Sequence, residues 1–248
     1  MPPRALRPVG IALVDKPAGP SSFALVSALR RRTQARTGHA GTLDPFATGL
    51  LVLLSGAATR LAPCFVGLDK RYVTDVDLCA TTTTGDPEGD VVEEHEPPSR
   101  RSLDDALAGL QGEVELVVPA ASAVKIDGER AYRLARRGVA VEMPLRRSTV
   151  YGLAALSSTG SDDAVAAVRL ELHVSSGTYV RAIAEALGGH CTTLRRTAVG
   201  PFGIDEAADV ESALLMPVST ALGRLPDAAL DRVPAAVRDG VLALEGPS

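Results

Sequence analysis

The sequence predicts an α+β fold, a mixed and largely antiparallel sheet flanked by helices. Three observations carry that prediction. Strand-like segments arrive in clusters with helix-like segments between them, without the regular alternation of a parallel βαβ array. Residues 71–78, 149–156 and 164–174 alternate polar and apolar, as half-buried strands do. A hydrophobic content of 46% over 248 residues fills the core of one large domain, or of one domain with a small appendage.

The elements follow in order. Ile11 to Val14 reads as a short apolar strand, closed by the turn-rich Asp15-Lys16-Pro17-Ala18-Gly19-Pro20. Ser21 and Ser22 are N-cap residues for a helix from Phe23 to Arg32. A glycine-rich loop, Gly38 to Gly49, leads into Leu50 to Leu54, a continuous apolar run of strand length. Ala57 to Val66 reads as a helix broken or started by Pro63. In the strand 71–78, Tyr72, Thr74, Val76 and Leu78 share one face. Asp86-Pro87-Glu88-Gly89 marks a hairpin turn into Val91 and Val92. Ser102 caps a helix over 103–110, and 114–118 is a strand. Arg130 to Arg137 looks helical and basic. Strands 149–156 and 164–174 are antiparallel neighbours across a Ser/Thr/Gly turn. A helix over 182–187 ends at Gly188-Gly189.

Charge distribution says more than the net charge of -4. The stretch 86–115 and the segment after Asp205 are acidic. Basic residues gather at Arg30, Arg31, Arg32 and Arg36, and from Lys125 to Arg147, which fits a phosphate-backbone footprint as well as it fits solvated helix faces. With aromatics at 3% and no Trp, a surface built on many stacking rings is excluded. Cys64, Cys79 and Cys191 lack metal-ligand spacing and read as buried or partly buried thiols of a reducing compartment. No signal-peptide stretch and no run of ~20 apolar residues occurs, so a cytoplasmic protein is expected, with no membrane partner.

Asp44 is the first candidate for chemistry. It sits in a loop with three glycines and one His, where the backbone can approach a ligand closely. Pro45 biases residue 44 to an extended conformation and so fixes how its carboxylate points. Chemistry alone reads Asp44 as readily as the cap of a short turn starting at Pro45. The same holds elsewhere. Arg181 reads equally as a surface charge at a helix start, Tyr72 and Tyr179 as packed tyrosines, and Leu194 as a core leucine. His39 reads equally as a structural histidine, and Lys16 as a turn lysine.

Several ordered motifs go further. Gly38-His39-Ala40-Gly41-Thr42-Leu43-Asp44-Pro45-Phe46-Ala47-Thr48-Gly49 resembles the catalytic loop G-H-x-G-x-L-D-P-x-A-x-G of the TruB family of tRNA pseudouridine synthases. Asp15-Lys16-Pro17-Ala18-Gly19-Pro20-Ser21-Ser22 is similar to that family's N-terminal motif, and Lys70-Arg71-Tyr72 to its K-x-Y strand. Ser122 to Gly128 with Arg130-Ala131-Tyr132, Ser176 to Arg181, and Leu194-Arg195-Arg196-Thr197 resemble three more. The motifs span residues 15–197.

The resemblance implies the pseudouridine synthase fold and isomerisation of uridine 55 in the tRNA T arm, without metal or other cofactor. It assigns Asp44 as the nucleophile, leaving attack at the ribose C1′ or at the uracil ring open, and Arg181 as its ionic partner. Tyr72 would stack on the flipped uracil, Tyr179 would act as a base-side donor or general base, and Leu194 would lid the base. Tyr179 and Arg181 would share one face if the preceding strand ran that far. His39 would fill the gap in the RNA, Lys16 would support the loop, and Lys125 and Arg130 would contact RNA from a basic insertion at about 119–147.

The expected organisation is a catalytic domain over 1–204 and a short C-terminal segment, 205–248, too short for the RNA-binding module usual in bacterial members. The expected partner is tRNA, met by a monomer with no obligate protein partner. A guide-RNA-dependent relative fits less well, because those lean on a complete C-terminal module and lack the basic insertion. An RNA-folding chaperone and a hydrolytic nucleosidase are the readings from other classes.

Overall fold

The computed structural model describes residues 8–122, 124–126, 128–131, 137 and 142–244. In chain order, the first elements are strand β1 (Gly10–Lys16), helix α1 (Ser22–Thr33), β2 (Thr37–His39) and β3 (Thr48–Ser55). A 3₁₀ turn (Gly56–Leu61) and α2 (Ala62–Val66) lead to β4 (Lys70–Asp77), β5 (Ala80–Thr82) and β6 (Val91–Glu94). Next come α3 (Arg100–Gly109), β7 (Gly112–Val117), β8 (Lys125–Ile126), β9 (Glu129–Arg130), β10 (Leu145–Gly160) and β11 (Val165–Val174). The helix Val180–Ala186, β12 (His190–Val199), β13 (Phe202–Gly203) and short helices Val218–Leu222, Asp227–Leu230 and Ala235–Leu242 complete the order. The chain divides into two compact units, residues 1–71 with 195–248, and residues 72–194.

In the first unit β1 runs antiparallel to β3, from Gly10↔Ser55 to Lys16↔Gly49. The end of β12 lies parallel to β3 at Arg195↔Thr48 and Arg196↔Gly49, so the sheet is mixed. Alternation along β1 and β3 splits their side chains between two cores, which explains the unbroken apolar run at 50–54. Ile11, Leu13, Leu50, Val52 and Leu54 pack with Phe65 and Phe202 and with Val218, Leu222, Val233 and Val241. Ala12, Val14, Leu51 and Leu53 pack on Leu25, Val26 and Leu29 of α1 and on Ala213. Each large side chain so buried contributes about 1.5–3 kcal/mol. The segment after 205 thus covers the β1–β3 sheet, and its backbone bonds β1 directly at Ile11–Met216.

The second unit holds β4, β11, β10 and β7 as successive neighbours. β10 and β11 form a long antiparallel hairpin, and β7 pairs β10 from Val117↔Leu145 to Gly112↔Val150. Burial alternates along β4 as its sequence predicts, with Tyr72, Thr74 and Val76 inward.

Four local expectations change. The loop of the Asp44 motif is shorter than 38–49, because Gly38 and His39 pair with Leu54 and Leu53, and β3 starts at Thr48. Ser99, not Ser102, caps α3 by accepting from the Ser102 N–H, so the helix starts earlier. Arg130 itself is not helical: it pairs with Lys125 across the two-stranded ribbon β8–β9, and the chain is helical at Ala131. Residues 132–136 of that expected helix lie outside the described residues, Arg137 lies in a turn, and Arg146 and Arg147 lie on β10. Finally, the 57–66 helix is a 3₁₀ turn followed by α2, with Pro63 in the first turn of α2, where its missing N–H costs nothing.

Candidate active site

Asp44 stands half-buried between two anchored peptide groups. On its N-terminal side, the Ser22 hydroxyl donates to the Leu43 carbonyl at 2.8 Å and accepts from the Leu43 N–H at 2.9 Å. Ser22 can do this because the neighbouring Ser21 takes the cap of α1, accepting from the Ala24 N–H. On the C-terminal side, the Lys16 ammonium donates to the carbonyls of Pro45 at 3.0 Å, Ala47 at 2.6 Å and Pro17 at 2.9 Å. Lys16 is 0% exposed, so this ammonium substitutes carbonyl dipoles for its hydration. The Gly19 N–H donates to the Pro45 carbonyl and the Ala47 N–H to that of Asp44, which closes the turn.

Arg196, 1% exposed, holds the approach to the loop by donating to the carbonyls of Leu50 at 2.7 Å and Gly41 at 3.1 Å. Gly49 is obligatory here. It has φ +102°, and a Cβ would lie 2.3 Å from the Arg196 carbonyl oxygen. His39, on β2, has a buried Nδ1 with no hydrogen-bond partner among the described residues. Burial first, and then the Arg196 charge, lower its pKa below the ordinary histidine value, which favours the neutral ring.

In the other unit Arg181 is a buried cation, 2% exposed, and not the surface charge its place at a helix start permitted. Its guanidinium pairs with Asp86 at 3.2 Å and donates to the carbonyls of Thr84 at 2.5 Å and Ala121 at 3.0 Å. Asp86 is itself 3% exposed. The sequence marks it as part of a hairpin turn and carries no sign of this role. The only signal was an Asp among turn residues, and a turn does not announce a buried cation arriving from residue 181. Glu185, one helical turn after Arg181, has its pKa raised by burial, against the lowering effect of Arg181.

Tyr179 is the N-cap of the helix Val180–Ala186 and Arg181 lies in that helix, while β11 ends at Val174. The shared strand face conceived for Tyr179 and Arg181 is therefore absent; helix geometry, not alternation, sets their directions. The Arg146 guanidinium lies 6.0 Å from the Tyr179 ring centre, over Gly177. Tyr72 and Leu194, both under one-tenth exposed, lie on the neighbouring strands β4 and β12, joined where the Thr74 hydroxyl donates to the Thr193 carbonyl. Lys125 and Arg130 sit opposite each other on the β8–β9 ribbon, and their side chains lie outside the described residues. Lys16, His39 and Asp44 thus share the first unit, and Tyr72, Tyr179, Arg181 and Leu194 the second.

Among the described residues no helix is long and apolar enough to cross a membrane. A family model described as TruB family pseudouridylate synthase (N terminal domain) matches residues 30–180. The chain is 42% identical over 234 residues to "tRNA pseudouridine synthase B" of Leifsonia xyli subsp. xyli, covering 87% of this chain and 76% of that protein. It is 44% identical over 214 residues to the protein of the same name from Mycobacterium sp. (strain KMS), covering 82% and 71%. Among solved structures, it resembles a chain in a crystal structure of a Cbf5–Nop10–Gar1 complex, with TM-score 0.59 and 28% identity. That match covers 80% of this chain and 51% of the other, so the chain spans about half the length of that structural relative. Matched over more than half its length by the family model, and over more than two thirds of each of these two relatives, the chain belongs to the TruB family of pseudouridylate synthases.

Proposed function

We propose that this protein is a tRNA pseudouridine synthase that isomerises uridine 55 of the T arm, with Asp44 as nucleophile acting on a nucleotide flipped out of the RNA. The observation that carries this reading is the double clasp around Asp44, with Leu43 bonded by Ser22 and Pro45 by Lys16. A carboxylate on a rigid backbone keeps its aim without losing entropy when substrate arrives. The names of the relatives supply the substrate class.

The isomerisation balances without an external reagent. The N1–C1′ bond breaks, a C5–C1′ bond forms, C5 loses a proton and N1 gains one, and the carboxylate is regenerated. Tyr72 is proposed as the stacking face for the uracil, Tyr179 as the group that moves a proton at the base, Leu194 as its apolar cover and Arg181 as the cation of the reaction. His39 is proposed to occupy the gap in the RNA, Lys16 to support the loop, and Lys125 and Arg130 to contact the RNA backbone. The protein acts as a cytoplasmic monomer, needing no protein partner, guide RNA or cofactor. The proposed organisation keeps a catalytic domain over 1–204 and a short segment over 205–248.

Incubation with an unmodified tRNA transcript, followed by mapping of pseudouridine, tests this. Product at position 55, lost in Asp44→Asn while tRNA is still retained, is the expected result. Free uracil would establish a nucleosidase instead, and tRNA folding without product a chaperone.

A further inference from the structure

The outer face of α1 belongs to neither core nor clasp. Leu25, Val26 and Leu29 face the core and Ser22 faces the loop, which leaves Phe23 70% exposed in the first turn of the helix. Leaving a Phe in water wastes a large burial gain, and this chain has only four Phe, four Tyr and no Trp to spend. Its position is also unusual. Phe23 directly follows Ser22, whose hydroxyl holds Leu43, and Leu43 precedes Asp44.

Seven residues along, on the same helical stripe and about 10 Å down the axis, comes Arg30, with Arg31 beside it. Both are exposed, and neither guanidinium makes an ion pair or hydrogen bond among the described residues. Arg32 is different: it donates to the carbonyls of Val210 at 2.8 Å and Glu211 at 2.5 Å, and to that of Ala213, which docks the 209–213 turn. The basic run therefore divides into one structural arginine and two free ones.

We propose that this face of α1 is a second RNA-contact strip, in which an unpaired base of the substrate stacks on Phe23 and Arg30 and Arg31 take the phosphates that follow. The proposal rests on the RNA-modifying reading above. An exposed ring accepts any base face, and unpaired arginines on a chain of net charge -4 are complementary to a polyanion and to little else. A stacked base beside the Asp44 loop would hold open RNA in register with it. Phe23 is on this account a substrate-binding residue outside the residues implied by the motifs.

The test uses the Asp44→Asn protein so that binding is read without turnover. Because the chain has no Trp, Phe23→Trp places a single reporter on the strip. Its emission should be quenched on adding tRNA, as an indole stacked on a base is. Phe23→Ala should weaken tRNA retention about tenfold, and in the active protein the loss in kcat/KM should be carried by KM. Arg30→Gln with Arg31→Gln should lower the salt slope of binding by about 1.5 log units per decade. Unchanged Trp emission at tRNA concentrations that retain the protein overturns the proposal and leaves the face to a protein partner, as does a salt slope equal to the parent's. These readouts need no catalysis. A quenched reporter in the Asp44→Asn protein, with no pseudouridine from the parent that keeps Asp44, would overturn the activity alone, and an active parent with a silent reporter would overturn only the strip.

Discussion

In the unit that carries Asp44, side chains hold a backbone; in the unit that carries Arg181, backbone and carboxylate hold a side chain. Lys16, Ser22 and Arg196 all spend their donors on carbonyls of the loop or its approach, and the Asp44 carboxylate stands half-buried on the result. Arg181 is the reverse case, a buried cation that pairs with Asp86 and donates to two carbonyls. The first arrangement aims a charge, and the second stores one. The two should therefore fail in different proportion, Asp44 through lost activity and the Arg181–Asp86 pair through lost stability as well.

The largest effect belongs to Asp44→Asn. The change is isosteric and leaves the Ser22 and Lys16 bonds to the neighbouring peptides in place, so pseudouridine formation should fall below detection while the protein still unfolds cooperatively. Tritium release from [5-³H]uridine tRNA and a urea melt measure both. A large loss of stability would mean that Asp44 works as a structural cap.

Asp86→Asn breaks the comparison from the other side. It removes the carboxylate charge that the buried guanidinium of Arg181 pairs with at 3.2 Å, and removing one partner of a buried pair costs about 3–5 kcal/mol. Urea unfolding should show that loss. Asp86→Asn at wild-type stability would show that the Asp86 charge is not what holds Arg181 in place.

These two residues also mark what could be read from the sequence. The strands at 11–14 and 50–54 are legible as short apolar runs and that at 71–78 from its alternation, both local signals, and the Asp44 loop because glycines and a proline crowd around one acid. Asp86 was not legible: its meaning lies in a guanidinium from residue 181, and in a sequence it differs in nothing from Glu88 or Asp90 nearby. β12 was missed for a related reason, since Arg196 is among its inward residues and breaks the apolar pattern that marks a buried strand. Ser22 was read only as a cap, because the sequence shows two adjacent serines and only the packing assigns them different work.

Lys16→Met separates aim from stability within the loop. Methionine keeps the stem and leaves the carbonyls of Pro17, Pro45 and Ala47 without their shared donor. A loss of about 3 kcal/mol is expected, and kcat should drop at temperatures where the variant is still folded. Ser22→Ala is a gentler form of the same cut, with two bonds to Leu43 lost and about 1–2 kcal/mol at stake. Its kcat should fall about tenfold with little change in tRNA affinity, as misplacement of a reacting group does. A Ser22→Ala protein with normal kcat would show that the Lys16 side alone sets the aim.

The smallest effect is electrostatic and concerns His39. Burial and Arg196 lower its pKa, so the folded state binds a proton less readily than the unfolded chain, whose His titrates near 6.5. The unfolded state therefore holds more protons just below pH 6.5, and stability must rise with pH through that window. Above about pH 6.5 both states carry a neutral ring and the contribution is flat. Lowering the pH through the window should destabilise the parent protein relative to His39→Asn, measured as the difference between their urea midpoints from pH 7.5 down to 5. The carboxylates that titrate lower down are common to both proteins and cancel in that difference. A parallel pair of curves would mean that the ring of His39 is solvated enough to hold its proton, and its isolated Nδ1 would then have water as its partner.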